Sequence, residues 1–138
     1  MAGTENNKAI ELRFTTEVLN EHNLDVLSEL VAEDFIEQNP ARGQGAGREG
    51  LRQFLAQMIE AFPDMSWGTE EEVAEGDRVA GWGFWSGTHR GTFMGIPATG
   101  RTVSVEYWNM DYFRDGKIAE GRIIMDVMGL LQQLVLRG

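Results

Sequence analysis

Apolar residues recur at helical spacing through the first part of the chain. Ile10, Phe14 and Val18 fall four apart, with Leu12 and Leu19 beside them and Glu11, Arg13 and Glu17 on the other side, the pattern of an amphipathic helix. Asn20-Glu21-His22-Asn23 interrupts it. A shorter second helix is expected through Leu24, Val26, Leu27, Leu30 and Val31, with Asn23 as N-cap because its side-chain oxygen can accept from a free helix N–H. Phe35-Ile36-Glu37-Gln38-Asn39-Pro40 leaves that helix for a Gly-rich loop. In the third helix Leu51, Phe54, Leu55, Met58, Ile59 and Phe62 make one broad apolar stripe, ended by Pro63.

The periodicity then shortens to runs rich in Val, Trp, Phe and Thr, predicting strands near 65–74, 78–88, 101–113 and 117–125. Glu75-Gly76-Asp77 and Asp115-Gly116 supply tight hairpins, so neighbouring strands are expected to be antiparallel. Helices first and strands later is an α+β order. Met128, Leu130, Leu131, Leu134 and Val135 read as a short apolar helix or packed tail closing the sheet. Three N-terminal helices on a strongly curved antiparallel sheet make a cone that encloses a pocket.

The 138 residues contain no linker or internal repeat, so a single domain over 1–138 is expected. Twelve Lys and Arg against 22 Asp and Glu leave a formal charge of −10, which opposes binding to nucleic acid or an anionic membrane. No long apolar segment marks a leader or a span, and a cytoplasmic protein is expected. The absence of Cys removes disulfides, thiolate nucleophiles and zinc-thiolate sites. His22 and His89 lack ligand spacing, so no metal site is expected.

The run Gly87-Thr88-His89-Arg90-Gly91-Thr92-Phe93-Met94-Gly95-Ile96-Pro97-Ala98-Thr99-Gly100-Arg101-Thr102-Val103 resembles a stretch of the SnoaL-like polyketide cyclases. These lie within the nuclear transport factor 2-like superfamily. The resemblance continues through Ala61-Phe62-Pro63-Asp64-Met65, Ala74-Glu75-Gly76-Asp77-Arg78-Val79, Phe113-Arg114-Asp115-Gly116-Lys117-Ile118 and the terminal Asp126-Val127-Met128-Gly129-Leu130-Leu131-Gln132-Gln133-Leu134. It implies acid/base catalysis without cofactor, an intramolecular aldol condensation on a hydrophobic carbonyl compound, by a homodimer. The superfamily also holds enzymes resembling limonene epoxide hydrolase and ketosteroid isomerase, and non-catalytic ligand binders, so shared fold leaves the chemistry open.

Asp126 matches the general acid/base of that family; the plainer reading of an Asp before a helix is a cap. Asn39, in a segment where the family often has His-Asp-Pro, could hold an enolate oxygen, or simply fix the turn before Pro40; Gln38 is its substitute. Where the family reads Glu-His-Trp, this chain has Glu120-Gly121-Arg122. An inward Arg122 could hold an anionic group or join Asp126 and Asp111 in an Asp-Arg-Asp arrangement; an outward one would guard an edge.

Strand 103–113 offers a polar face with Tyr107, Asn109 and Asp111 and an apolar face with Trp108, Met110 and Tyr112, and either could line the pocket. His89 would exchange protons only if it faced the pocket. His22 reads as solvated, and Glu70-Glu71-Glu72 as a solvated edge. Trp82 and Trp85 fall on opposite faces, one for the core and one for an interface. An exposed sheet face with Trp residues points to the same homodimer.

Overall fold

The computed structural model describes residues 2–136. Helix α1 (Ala2–Arg13) runs on into a π-helical segment, Phe14–Asn20, whose widened turn is closed by Glu21 N–H donating to Thr16 O. Asn20 then clamps this end to the sheet: its Oδ1 accepts from Trp67 N–H at 2.7 Å and its Nδ2 donates to Trp67 O at 3.0 Å. A 3-10 turn, Leu24–Val26, leads into the four-residue α2 (Leu27–Leu30). Asn23 precedes this turn without a side-chain capping bond, so the expected cap is not made. Val31 is not helical. It opens strand β1 (Val31–Glu37), an element that its apolar spacing had merged with the second helix and the following loop.

Helix α3 (Gly47–Ala61) buries Leu51, Leu55 and Met58, as the stripe predicts, together with Ala61, and stops before Pro63. Four strands follow: β2 (Ser66–Glu75), β3 (Arg78–Thr88), β4 (Thr102–Arg114) and β5 (Lys117–Met125). They pair as successive antiparallel neighbours, in the sheet order β1-β5-β4-β3-β2. The edge strand β1 pairs with β5 in parallel, so the expected all-antiparallel sheet is a mixed one. Irregularities between Thr69 and Glu71 and between Tyr112 and Phe113 bend the strands, and the sheet stays curved and unclosed.

Two apolar clusters flank the hollow of the sheet. One joins Phe62, Met65, Trp67, Trp85, Val103 and Leu130; the other joins Val18, Leu27, Val31, Leu51, Phe113 and Ile118. Phe62 meets Trp85 edge-to-face at 4.7 Å between centroids. The terminal helix α4 (Val127–Leu131) and the π-helical turn Gln132–Leu136 bury Leu130 and Leu134 against the first cluster. Gln133 holds this tail in place: its Oε1 accepts from Ser104 N–H and its Nε2 donates to Ser104 O.

The segment that resembles the cyclases forms a single locked corner. The Asp64 carboxylate accepts from both Thr88 N–H and Thr88 Oγ1 at 2.7 Å, and these bonds hold it below the usual carboxylate range. His89 is fully buried and stacked on Phe62; its Nδ1 accepts from Thr99 N–H at 3.2 Å and pairs with Thr99 Oγ1 at 3.0 Å. Gly91 lies against the end of α3, where a Cβ would sit 2.8 Å from Glu60 O.

Trp85→Ala should therefore lower unfolding stability by about 3–5 kcal/mol, since it opens a cavity within the first apolar cluster, whereas Trp82→Ala on the outer face should cost under about 1 kcal/mol in dilute protein. Urea unfolding followed by circular dichroism checks the difference.

Candidate active site

The helices and the inner sheet face enclose a cavity of about 730 Å³. Phe14, Phe35, Phe54, Leu51 and Met58 give it apolar walls. Its back wall is different. Strand alternation turns Tyr107, Asn109 and Asp111 of β4 inward, while Trp108 is 55% exposed on the outer face, stacked on Trp82 at 5.4 Å. The polar face of the strand therefore lines the pocket, and the expected contribution of Trp108 to the wall is not made.

Two acids missed in the sequence complete this wall. Glu11 is only 4% exposed and lines the cavity, not the solvent side of α1 where its charge had placed it. The signal was present: Glu11, Phe14, Thr15 and Val18 follow i, i+3, i+4, i+7, so Glu11 shares the buried face. Glu72 also lines the cavity, because the irregularity after Thr69 shifts its parity and brings it opposite Gly81. The run 70–72 is thus only partly a solvated edge.

Glycines make room for the carboxyls. A Cβ on Gly121, which pairs with Asp111 across β4 and β5, would come within 2.8 Å of Asp111 Oδ1. A Cβ on Gly81 would lie 3.5 Å from Asn109 Oδ1. The departure to Gly at 121 is therefore the space that Asp111 occupies.

Asn109 Nδ2 donates to Glu11 Oε2 at 3.2 Å and reaches Asp111 Oδ2 at 3.5 Å. The Glu11 and Asp111 carboxyls are themselves in hydrogen-bond contact, which requires a proton on one of them. Burial first, then the negative charge of Asp111, pushes Glu11 well above the usual carboxylate range. Burial pushes Asp111 to about 6, although hydrogen bonds from Glu11 and Asn109 pull it down. Burial also raises Glu37, Glu72 and Tyr107, with Asn39 N–H, Lys8 and Thr69 respectively opposing the rise. Of the two, Glu11 is the one pushed further towards its protonated form, and the pair as a whole holds a proton above the ordinary carboxylate range.

The remaining expected site residues lie apart from this wall. Asn39 lines the cavity beside Glu37, whose Oε2 accepts from its backbone N–H. Gln38 is exposed and donates to Glu120 Oε2. Arg122 pairs with Met110 on the outward register of β5 and is exposed at the cavity rim. The carboxyl that meets Asp111 is Glu11 and not Asp126, and the group between them is Asn109 and not Arg122, so the expected Asp-Arg-Asp arrangement is absent. Asp126 is exposed and caps α4, accepting from Gly129 N–H at 2.8 Å. His89 is a loop anchor, as described above. Among the described residues no three His, Asp or Glu have the geometry to hold a metal ion, and no helix is long and apolar enough to cross a membrane.

The model of the SnoaL-like polyketide cyclase family matches residues 9–134. The chain belongs to the SnoaL-like polyketide cyclase family. Among solved structures, TsrD from Streptomyces laurentii is 27% identical, covers 96% of this chain and 97% of its own, and superposes with a TM-score of 0.87. IdmH from Streptomyces antibioticus is 32% identical over 93% of this chain and 97% of its own, with a TM-score of 0.80. A SnoaL-like polyketide cyclase from Agrobacterium tumefaciens is 25% identical over 93% and 97%, with a TM-score of 0.77. Comparison with curated protein sequences gives no match. The fold is thus the nuclear transport factor 2-like one that the sequence motifs imply.

In this SnoaL-like pocket the buried acids make stability depend on pH. Asp111 is neutral in both states below its unfolded value near 3.8; as pH rises towards the folded value of about 6, the unfolded chain ionises first and stability falls. Asp111→Asn should match the parent near pH 3 and be more stable by the order of 2 kcal/mol near pH 7. Denaturant midpoints across that range test this; an Asn variant that is equally or less stable at neutral pH would contradict it.

Proposed function

We propose that the protein is an acid/base enzyme that works without a cofactor on a hydrophobic carbonyl compound, with intramolecular aldol condensation as the reaction and Asp111 as the proton-transferring group. The observation that carries this reading is the Asp111 carboxyl, brought to a pKa of about 6 by burial and set on the wall of an apolar cavity. As a carboxylate it can take the proton of an activated methylene and return it to the alkoxide formed when the new carbon–carbon bond closes. Asn109 and Glu11, whose own carboxyl burial pushes upward, hold its oxygens in place. Tyr107 remains a phenol at neutral pH, and its hydroxyl, 3.1 Å from Thr69 Oγ1, is placed to donate to an enolate oxygen. Asn39 would steady the substrate nearer the mouth. Enclosure supplies orientation and excludes water.

Asp126, which family resemblance favours, is the competing proton carrier, and turnover of model diketones separates the two. Asp111→Asn is expected to lower kcat/KM by about 10²–10⁴-fold. Asp126→Asn should leave turnover within a few-fold and stability nearly unchanged, since an Asn oxygen can still accept from Gly129 N–H. The reverse ranking would put the chemistry at Asp126.

The outer sheet face supports a homodimer as part of the same reading. Trp82, Phe84, Trp108 and Ile124 form an apolar patch there, and the indole N–H groups of Trp82 and Trp108 are satisfied by Glu71 and Glu106, so the patch presents no unmet donor. Sedimentation velocity should give a dimer for the parent and a monomer for Trp108→Glu; a monomeric parent would refute this part.

A further inference from the structure

We propose that Thr69 is a positioning residue: its hydroxyl donates to Tyr107 Oη across strand β3 and so turns the phenolic proton of Tyr107 into the cavity, towards the oxygen of a bound carbonyl compound. This rests on the reading of Tyr107 as a donor to the enolate and adds the group that sets its direction.

Tyr107 has little freedom of its own. It sits within β4, paired with Gly83 of β3 on one side and Met125 of β5 on the other. It is buried, and its ring meets Trp67 edge-to-face at 5.0 Å. Trp67 is held in turn by the Asn20 side chain, which bonds both its backbone N–H and its backbone O. With backbone and ring fixed, rotation about the Cζ–Oη bond is what remains to the hydroxyl.

Thr69 reaches that hydroxyl from a strand that is not a neighbour. Thr69 of β2 and Tyr107 of β4 each pair with Gly83 of the intervening β3. A Cβ on Gly83 would run into Gly68 O, and one on Gly81 would lie 3.6 Å from Thr69 Cγ2. Strand β3 therefore brings no side chain between them, and the two hydroxyls meet over it at 3.1 Å.

Two hydroxyls in contact share one proton, and the other proton points elsewhere. A phenolic O–H stays near the plane of its ring, so the Tyr107 proton has two directions. A bond donated by Thr69 occupies one of them and leaves the proton in the other. The negative charge of Glu11 and Glu72 acts on the same hydroxyl and draws the positive end of the O–H towards the cavity those carboxyls line.

Thr69→Val removes the donor at nearly constant shape, and Thr69→Ser keeps it. Fluorine-19 NMR of the full chain labelled with 3-fluorotyrosine follows its two phenols, with Tyr107→Phe for assignment. Burial raises Tyr107 and the Thr69 bond pulls it back, so its signal should titrate higher in Thr69→Val, by about half a pH unit or more, and return in Thr69→Ser. The turnover probe is 2-methyl-2-(3-oxobutyl)cyclohexane-1,3-dione, a triketone that closes by intramolecular aldol condensation. Thr69→Val should lower kcat about tenfold with KM within about twofold, Thr69→Ser should restore kcat, and Thr69→Val should cost nothing further in Tyr107→Phe. An unmoved titration would overturn the inference. So would a kcat equal to or above the parent's, as expected if Tyr107 donated to Thr69 instead, or losses that multiply in the double variant. Any of these with turnover still lost in Asp111→Asn would leave the acid/base reading intact. A parent that turns over no triketone, with its Tyr107 titration still moved by Thr69→Val, would overturn that reading and leave the hold of Thr69 on Tyr107.

Discussion

Two carboxyls brought together on the wall of a largely apolar cavity resist ionising together, and the inner face of this protein is organised around that constraint. Glu11 arrives from α1 and Asp111 from the middle of β4. Asn109 spans them, and Gly121 leaves the space that Asp111 fills. The irregularity in β2 adds Glu72 to the same wall. An apolar core would be more stable without these groups, since an ionised Asp111 costs desolvation energy that the hydrogen bonds from Glu11 and Asn109 offset only in part. Such a wall is the stability cost that the proposed acid/base chemistry carries.

The segments that mark the family do other work. Asp64, Thr88, His89 and Gly91 lock the end of α3 to the end of β3 and to the loop before β4. Asp126 and Gln133 fix the tail that closes the hollow. These residues keep the cone open and its walls rigid, a condition for holding a substrate in one orientation. The most specific motifs thus build the scaffold, while the wall that could do chemistry is made from residues with no motif of their own.

This division explains what the sequence could tell. The stripe from Leu51 to Phe62 and the alternation in 101–113 are long periodic signals, and α3 and β4 follow them closely. Strand β1 was hidden because Leu30, Val31 and Phe35 suit a helix face as well as a strand, and its partner β5 lies more than eighty residues on. Glu11 was misplaced because charge was weighed above helical phase, and Glu72 because a one-residue irregularity reverses strand parity without a sequence mark. Tyr107, Asn109 and Asp111 were legible as one face, but the face that looks inward depends on how the sheet packs under α1 and α3. The capping role of Asp126 was equally legible, since Asp at a strand-to-helix junction commonly caps.

The most direct test of the shared-proton wall is a carbon-13 NMR titration of the Asp and Glu side-chain carboxyls, with Asp111→Asn and Glu11→Gln used for assignment. One carboxyl should titrate near 6 and a second well above the ordinary range; Asp111→Asn should bring Glu11 down, whereas Glu11→Gln should leave Asp111 raised, because burial and not Glu11 is what lifts it. Two carboxyls that both titrate at ordinary values, unaffected by each other's removal, would contradict the account.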